Sequence, residues 1–195
     1  GRNSNNASDV SFIDRKGLIV SFLGYADVGR DYCATSKRGG TNLLDEERMK
    51  EEISYAKNNS DFVIVSCHWG VERESFPTDR QKYFARRMID SGADVIFGHH
   101  PHVLQGVEKY NGGIIFYSLG NFCFGGNSFP ADRDSVIARV SLDKDGKKDF
   151  TIIPVKTHPE SMVFQPFVPS ETDGIEEKIN YRSRIFDTNV RSFEF

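Results

Sequence analysis

Short apolar runs alternate with amphipathic segments in the first half of the chain. Runs at 18–24, 62–66 and 94–97 are rich in Val, Ile, Leu and Phe, which is typical of buried strands. Between them, segments 44–58 and 78–90 carry apolar residues at the three- and four-residue spacing of a helix. The order strand, helix, strand, helix, strand predicts a layered α/β sheet.

Both predicted helices have recognisable end signals. Acidic residues crowd the first turn of the first helix, where the helix dipole favours negative charge. The second helix begins at Thr78, and Gln81 follows three residues later, which is the spacing of a capping box. Gly92 lies just beyond the last apolar residue and predicts the C-terminal end of this helix.

The second half of the chain is predicted to be richer in strands. Residues 114–118, 135–142 and 150–155 have the composition of strands, and the last two are joined by Asp-Lys-Asp-Gly at 143–146, a hairpin signal. A short helix is predicted near 174–184.

Composition indicates a folded protein that binds small or neutral partners. The 195 residues suit one compact domain, and 38% hydrophobic residues with 17 glycines exclude disorder and collagen. The net charge is −3 without a block of like charge, so nucleic acid is not an expected partner. Three cysteines form no disulfide framework and are expected to be free thiols. With neither a signal peptide nor an apolar run of about 20 residues, the chain is expected to be soluble as given.

Four of the five histidines directly follow two predicted strands, where open α/β sheets build their ligand sites. In an extended segment, His100 and His102 would share one face and point at one ion. His68, at the end of the neighbouring strand, is the expected third ligand. Three neutral imidazoles suit Zn, Fe or Mn, and three protein ligands with an open position are typical of a catalytic ion.

Other candidates leave alternatives open. His99 is either a ligand, a hydrogen-bond donor or general acid, or a residue that points away from the site. Glu72 either orients a ligand or is a solvated loop acid. Asn121 either reaches the same edge or serves a turn. The isolated His158 is expected to be structural.

Several segments occur in the order found in one bacterial protein family. They are Gly1-Arg2-Asn3 with Ala7, Phe22-Leu23-Gly24-Tyr25, His68-Trp69-Gly70 with Glu72, Pro77 and Gln81, the run Gly92 to Val103, and Tyr117-Ser118-Leu119-Gly120-Asn121-Phe122. On these residues the chain resembles the capsule-synthesis CapA (PGA_cap, poly-γ-glutamate biosynthesis) family, a branch of the calcineurin-like metallophosphoesterase superfamily. The resemblance covers about residues 1–155.

The resemblance implies an αββα sandwich with a dinuclear site of divalent metal ions, Mn, Fe or Zn. His68 matches the single-histidine block of the superfamily, and His100 with His102 matches its Gly-His-x-His block, in which His99 is the alternative member. We assign His99 a catalytic role. Metal-assisted hydrolysis of an anionic polymer or a phosphorylated small substrate is the implied chemistry.

The superfamily's early Asp and Asn-His blocks are not found in this sequence. We therefore expect residues 1–160 to form the C-terminal portion of the domain, incomplete at its N-terminal side, followed by an extension over 161–195. At most one ion is expected to bind this chain. Arg73 stands where the family commonly has an aromatic residue, and it either contacts an anionic substrate or is simply exposed.

Two other functions fit the same residues. A non-catalytic or truncated domain would bind polymer or a partner subunit, and a generic phosphoesterase would act on a soluble substrate. The resemblance also implies the bacterial cell envelope, at the outer face of the membrane, with capsule-synthesis membrane proteins as partners.

Overall fold

The computed structural model describes residues 1–123, 131–157, 166–169 and 174–193. The helices in these ranges are α1 (Ser4–Ala7), α2 (Glu46–Asn58), α3 (Asp79–Asp90) and α4 (Ile175–Ser183). The strands are β1 (Ser11–Arg15), β2 (Leu18–Ala26), β3 (Phe62–His68), β4 (Val95–His99), β5 (Val107–Tyr110), β6 (Gly113–Phe116), β7 (Asp134–Leu142), β8 (Lys148–Thr157) and β9 (Pro166–Phe167).

Two sheets organise the chain. The larger has the order β1-β2-β3-β4-β6-β5, in which β2, β3, β4 and β6 are parallel and the two edge strands are antiparallel to their neighbours. The smaller is antiparallel, with the order β7-β8-β9. The predicted strand and helix alternation, the hairpin between β7 and β8, and the helix near 174–184 are confirmed.

Helices α2 and α3 cover one face of the larger sheet. Their inward residues are those that the helical spacing predicts, and they pack on alternate residues of the parallel strands. The buried set on this face includes Met49, Ile53, Ala56, Phe84, Ala85, Met88, Val63, Val65 and Ile96. The capping box of Thr78 and Gln81 is present at the start of α3, as predicted.

The smaller sheet and α4 pack on the opposite face of the larger sheet. Phe116 of β6 meets Phe150 of β8 edge to face, with ring centroids 5.2 Å apart. Ile175 and Ile179 of α4 are buried in the same cluster, next to Val107. The described parts of residues 161–195 therefore share a core with the sheets.

The sequence patterns did not predict three of the strands, β1, β5 and β9. The hairpin of β1 and β2 turns at Lys16-Gly17, and the hairpin of β5 and β6 turns at Asn111-Gly112, with positive φ at all four residues. Two-residue turns with two positive φ values match the twist of antiparallel strands, so the Asn-Gly pair was the available signal. The third strand, β9, has only two residues.

The three cysteines are free thiols, as expected. His158, expected to be structural, lies outside the described residues.

One buried carboxylate connects both sheets and α2. Asp94 accepts hydrogen bonds from the Nζ atoms of Lys57 in α2 (3.0 Å) and Lys148 in β8 (2.7 Å). It also accepts one from the backbone N–H of Val63 in β3 (2.8 Å). Its side chain is only 6% exposed, so these three donors replace the water that a carboxylate otherwise binds.

We predict that Asp94→Asn lowers the free energy of unfolding by roughly 3 kcal/mol, because it leaves two ammonium groups facing a neutral amide. Urea denaturation followed by the fluorescence of the single, buried Trp69 measures the change. As the matched control, Asp79→Asn removes an exposed carboxylate in the first turn of α3 that pairs with Lys82, and it should lower the free energy of unfolding by less than about 1 kcal/mol. Equal midpoints for both variants would contradict this role of Asp94.

Close approach of three elements explains the glycine near the end of β4. A side chain at Gly98 would collide with the backbone oxygen of Tyr117 and with the indole of Trp69. These two groups are hydrogen-bonded to each other, Trp69 Nε1 donating to the Tyr117 oxygen at 3.0 Å. Because glycine has no side chain, Gly98 leaves room for the bond between Trp69 and Tyr117, directly before the histidine segment.

Gly98→Ala is expected to lower the unfolding midpoint strongly, because backbone and a buried indole must both move to admit the methyl group. Gly24→Ala in β2 is the control, since its nearest atom would be the Ser66 oxygen at 3.8 Å, an ordinary contact. Thermal melts of both variants measure the difference. A Gly98→Ala melting temperature as high as that of Gly24→Ala would refute the close-contact argument.

Candidate metal centre

The histidines lie where the parallel strands end. His68 closes β3 and His99 closes β4, and the two are direct neighbours in the parallel register. Beyond this pair, the backbone N–H of Trp69 donates to the His99 oxygen at 3.1 Å. The two strand-end segments are thus held side by side as they leave the sheet, which is the position expected for a ligand site in an open α/β sheet.

The segment after β4 is sharply turned rather than extended. His100 has φ 97° and His102 has φ 59°, both in the left-handed region that side chains other than glycine rarely adopt. The two imidazoles nevertheless approach each other, with ring centroids 5.8 Å apart. The expectation that an extended backbone brings them together was wrong, because two left-handed residues do so instead. Such strain in non-glycine residues is concentrated at functional sites.

Asn121 fixes the tautomer of His102. Its Nδ2 donates to the backbone oxygens of His102 (3.0 Å) and Asp132 (3.3 Å), which identifies the other atom as the oxygen. That oxygen lies 2.8 Å from His102 Nδ1. An amide oxygen only accepts, so Nδ1 carries the proton and Nε2 is the nitrogen with a lone pair to offer an ion. The sequence left open whether Asn121 reaches this edge of the sheet or serves a turn; in the structure it is buried and orients the imidazole.

Glu72 joins the two histidines. One ligand atom from each of Glu72, His100 and His102 lies within 4.8 Å of the other two. Glu72 is carried by the loop after β3, and this loop is tied to the histidine segment by the Arg73 backbone N–H, which donates to the Pro101 oxygen at 2.7 Å. Two imidazoles and a carboxylate on one side of an ion suit divalent Mn, Fe or Zn.

His68 lies beside this group. Its ring centroid is 4.8 Å from that of His100, and it stands at the end of β3 with one part of its surface open to solvent and the other covered. Partial burial lowers the pKa of His68, and the neighbouring His100 lowers it further. Neutral imidazole is the form that binds metal ions, so this shift favours a ligand role for His68 as well.

His99 faces the cavities next to the group. It lines an apolar cavity of about 490 Å³ between the sheets together with Phe97 and Phe122, and it shares a second cavity of about 400 Å³ with His68. Burial lowers the pKa of His99. At neutral pH the residue therefore offers one N–H and one lone pair towards these cavities. Arg73, with φ 65°, is exposed on the loop beside Glu72.

A buried glutamine beneath the loop was missed by the sequence patterns. Gln105 is completely buried and donates to the backbone oxygens of Glu74 and Phe76 in the loop that carries Glu72. The available signal was its position, a single polar residue inside the apolar run Val103 to Val107. A buried amide needs partners, so such a residue indicates a specific hydrogen-bonded link.

Comparison with known proteins agrees with this fold. The chain aligns with the crystal structure of a proposed 5′-nucleotidase from Staphylococcus aureus in complex with alpha-ketoglutarate at a TM-score of 0.51 and 13% identity, covering 87% of this chain and 33% of the other. This likeness supports the fold alone, and it is the metallophosphoesterase-type α/β fold implied by the resemblance.

In the described ranges, no helix is long and apolar enough to cross a membrane.

Curated relatives are similar over most of this chain. The "PGA biosynthesis protein CapA" of Bacillus subtilis is 38% identical over 181 residues, which cover 92% of this chain and 46% of the relative. The "Capsule biosynthesis protein CapA" of Bacillus anthracis is 36% identical over 160 residues, covering 80% and 39%. The chain thus spans less than half the length of these relatives. The profile of the family described as "Bacterial capsule synthesis protein PGA_cap" matches residues 1–126, and the chain belongs to that family.

Proposed function

We propose that this chain carries a divalent-metal site for hydrolase-type chemistry in the biosynthesis of capsular poly-γ-glutamate. The observation that carries the proposal is the group of Glu72, His100 and His102 at the C-terminal edge of the parallel strands. Membership of the capsule-synthesis family supplies the biological context, because relatives at 36–38% identity are described as capsule or PGA biosynthesis proteins.

The residues present fit a divalent ion. Glu72 offers a carboxylate oxygen, and His102 offers Nε2 because Asn121 holds the proton on Nδ1. His100 lies between His102 and His68, and burial lowers its pKa, which keeps the imidazole neutral. We propose one ion, of Mn, Fe or Zn, on these residues, with His68 as a further ligand.

A divalent ion bound here would polarise a phosphoryl or carbonyl oxygen and lower the pKa of a bound water. His99 lines the adjoining cavities. In its proposed catalytic role it would donate a hydrogen bond to the reacting group. Arg73 places a permanent positive charge on the loop next to Glu72, which suits an anionic polymer or a phosphorylated small substrate.

The cellular setting is part of the same proposal. We propose action at the bacterial cell envelope, at the outer face of the membrane, together with membrane proteins of capsule synthesis. We propose no nucleic-acid partner, because the net charge is −3 and the sequence has no block of basic residues.

Loss of one proposed ligand should weaken metal binding without unfolding the chain. We expect Glu72→Gln and His102→Gln each to lower the affinity for Mn²⁺ by about a hundredfold. Loss of a residue that only orients a ligand costs about 10- to 100-fold, and loss of the ligand itself should cost at least as much. Isothermal titration of the chain with Mn²⁺ measures this change. Glu74→Gln is the matched control, because Glu74 is an exposed acid on the same loop that stands outside the ligand group, and its affinity should be unchanged. An equal affinity of the Glu72 and Glu74 variants would contradict the assignment of Glu72.

Hydrolysis is tested with a chromogenic phosphodiester and with poly-γ-glutamate, each supplied with Mn²⁺. We expect turnover that ends on addition of a chelator and that falls by about a hundredfold in His99→Gln, because a positioned proton donor contributes at least that factor. The Mn²⁺ affinity of His99→Gln should stay close to that of the unsubstituted chain. Release of p-nitrophenol from the diester alone would favour the generic phosphoesterase, and polymer binding without turnover of either substrate would favour the non-catalytic polymer-binding domain.

A further inference from the structure

A buried pair of glutamine side chains links α3, the loop that carries Glu72 and the histidine segment. We propose that Gln105 and Gln81 are positioning residues of the metal centre: they fix where Glu72 stands relative to His100 and His102 without touching the ion. This inference rests on the proposed metal-binding function and adds the residues that set the affinity of the site.

The first step is the anchoring of the loop by Gln105. Its Nε2 donates to the backbone oxygen of Glu74 at 2.8 Å and to that of Phe76 at 3.2 Å. Its backbone N–H donates to the Ser118 oxygen at 3.0 Å, which holds Gln105 itself against the chain beyond β6. Gln105 has no exposed surface, so water cannot take the place of either loop carbonyl as the hydrogen-bond partner of its amide.

The second step is the orientation of that amide by Gln81. The Oε1 of Gln81 accepts the backbone N–H of Thr78 at 3.0 Å in the capping box, so its Nε2 must point the other way. That Nε2 donates to Gln105 Oε1 at 2.9 Å. The Gln105 oxygen therefore faces Gln81, and its NH₂ group faces the two loop carbonyls. Rotation of either amide by 180° would set donor against donor or oxygen against oxygen, so the pair has one arrangement.

The third step is the contact at the other end of the loop. Gly70, with φ 88°, packs directly on the Gln81 side chain, and a Cβ there would lie 2.7 Å from Gln81 Cδ. The loop is thus held at Gly70 by Gln81 and at Glu74 and Phe76 by Gln105. Glu72 lies between these anchors, and its neighbour Arg73 is tied to the histidine segment by the bond from the Arg73 N–H to the Pro101 oxygen.

Glu72 itself is exposed, so its carboxylate has little packing of its own to define its place. An ion that binds to a loosely held ligand loses affinity, because the loop must be ordered when the ion binds. The amide pair performs that ordering in advance. Loss of the pair should therefore appear in metal affinity and in the geometry around the ion.

The test is a double-mutant cycle with Gln105→Met and Glu72→Gln, read out by Co²⁺ affinity and by the visible spectrum of the bound Co²⁺. Methionine matches glutamine in length but donates no hydrogen bond to the loop carbonyls. We expect Gln105→Met to lower Co²⁺ affinity by about 10- to 100-fold, the usual cost of removing a partner behind a ligand. In that background, Glu72→Gln should have little additional effect, because the carboxylate is already displaced.

The control is Ser183→Ala, which removes another buried hydrogen bond in the same region. The Ser183 hydroxyl accepts from the Val107 N–H at 2.8 Å, two residues along the chain from Gln105, and donates to the Ile179 oxygen at 2.7 Å within α4. We expect this variant to lose stability but to keep the Co²⁺ affinity and spectrum of the unsubstituted chain. If Gln105→Met does not fold, Gln105→Asn, which retains the amide but shortens its reach, takes its place.

The outcomes separate the two proposals. If the unsubstituted chain binds Co²⁺ through Glu72 but Gln105→Met binds it equally well, the positioning role is refuted and the metal site stands. Additive losses in the double variant, or an affinity loss in Ser183→Ala as large as that in Gln105→Met, would likewise refute positioning. Absence of Co²⁺ binding to the unsubstituted chain would overturn the metal site and the inference with it.

Discussion

The parallel pairing of β3 with β4 is the constraint on which the rest of the structure depends. It aligns His68 with His99 and makes both strands end at one edge of the sheet. Parallel strands need crossover connections, and α3 supplies the connection here while its apolar side covers one face of the sheet. Because the strand ends coincide, the two loops that follow them begin side by side, and their side chains form one site although more than 25 residues separate them in the sequence.

Conformational strain and buried hydrogen bonds then complete the site. Two left-handed histidines cost free energy, on the order of 1–3 kcal/mol each, and persist only where their surroundings determine them. Here hydrogen bonds supply those surroundings. Asn121 bonds to both the ring and the backbone of His102, and the Pro101 oxygen accepts from the backbone N–H of Arg73 in the loop of Glu72. The exposed Glu72 and the partly buried His100 and His102 are thus positioned by buried groups behind them, and the exposure of Glu72 gives an ion access from solvent.

Much of this arrangement could be predicted from sequence, because it depends on local patterns. Apolar runs predicted β2, β3 and β4, spacing and end signals predicted α2 and α3, and clustered histidines predicted the edge of the sheet where the site lies. Two hairpins were missed because β1 is wholly exposed and β5 is short, so neither carries a clear apolar pattern. The Asn111-Gly112 pair was a sufficient signal for the second of them.

The finer geometry of the site depends on contacts between distant segments, which a single sequence does not display. The sequence left open whether Glu72 orients a ligand or is a solvated loop acid, and the structure groups its carboxylate with His100 and His102, because the loop after β3 is bound to Pro101. His100 and His102 meet through a turn that alternation along a strand does not describe. Residue type therefore indicated which side chains could form the candidate site, whereas their arrangement depends on polar groups of distant segments that must find hydrogen-bond partners. The same requirement explains why a glutamine, rather than an apolar residue of equal volume, occupies position 105: this fully buried side chain meets two loop oxygens, and only an amide can donate to both while accepting from a third group.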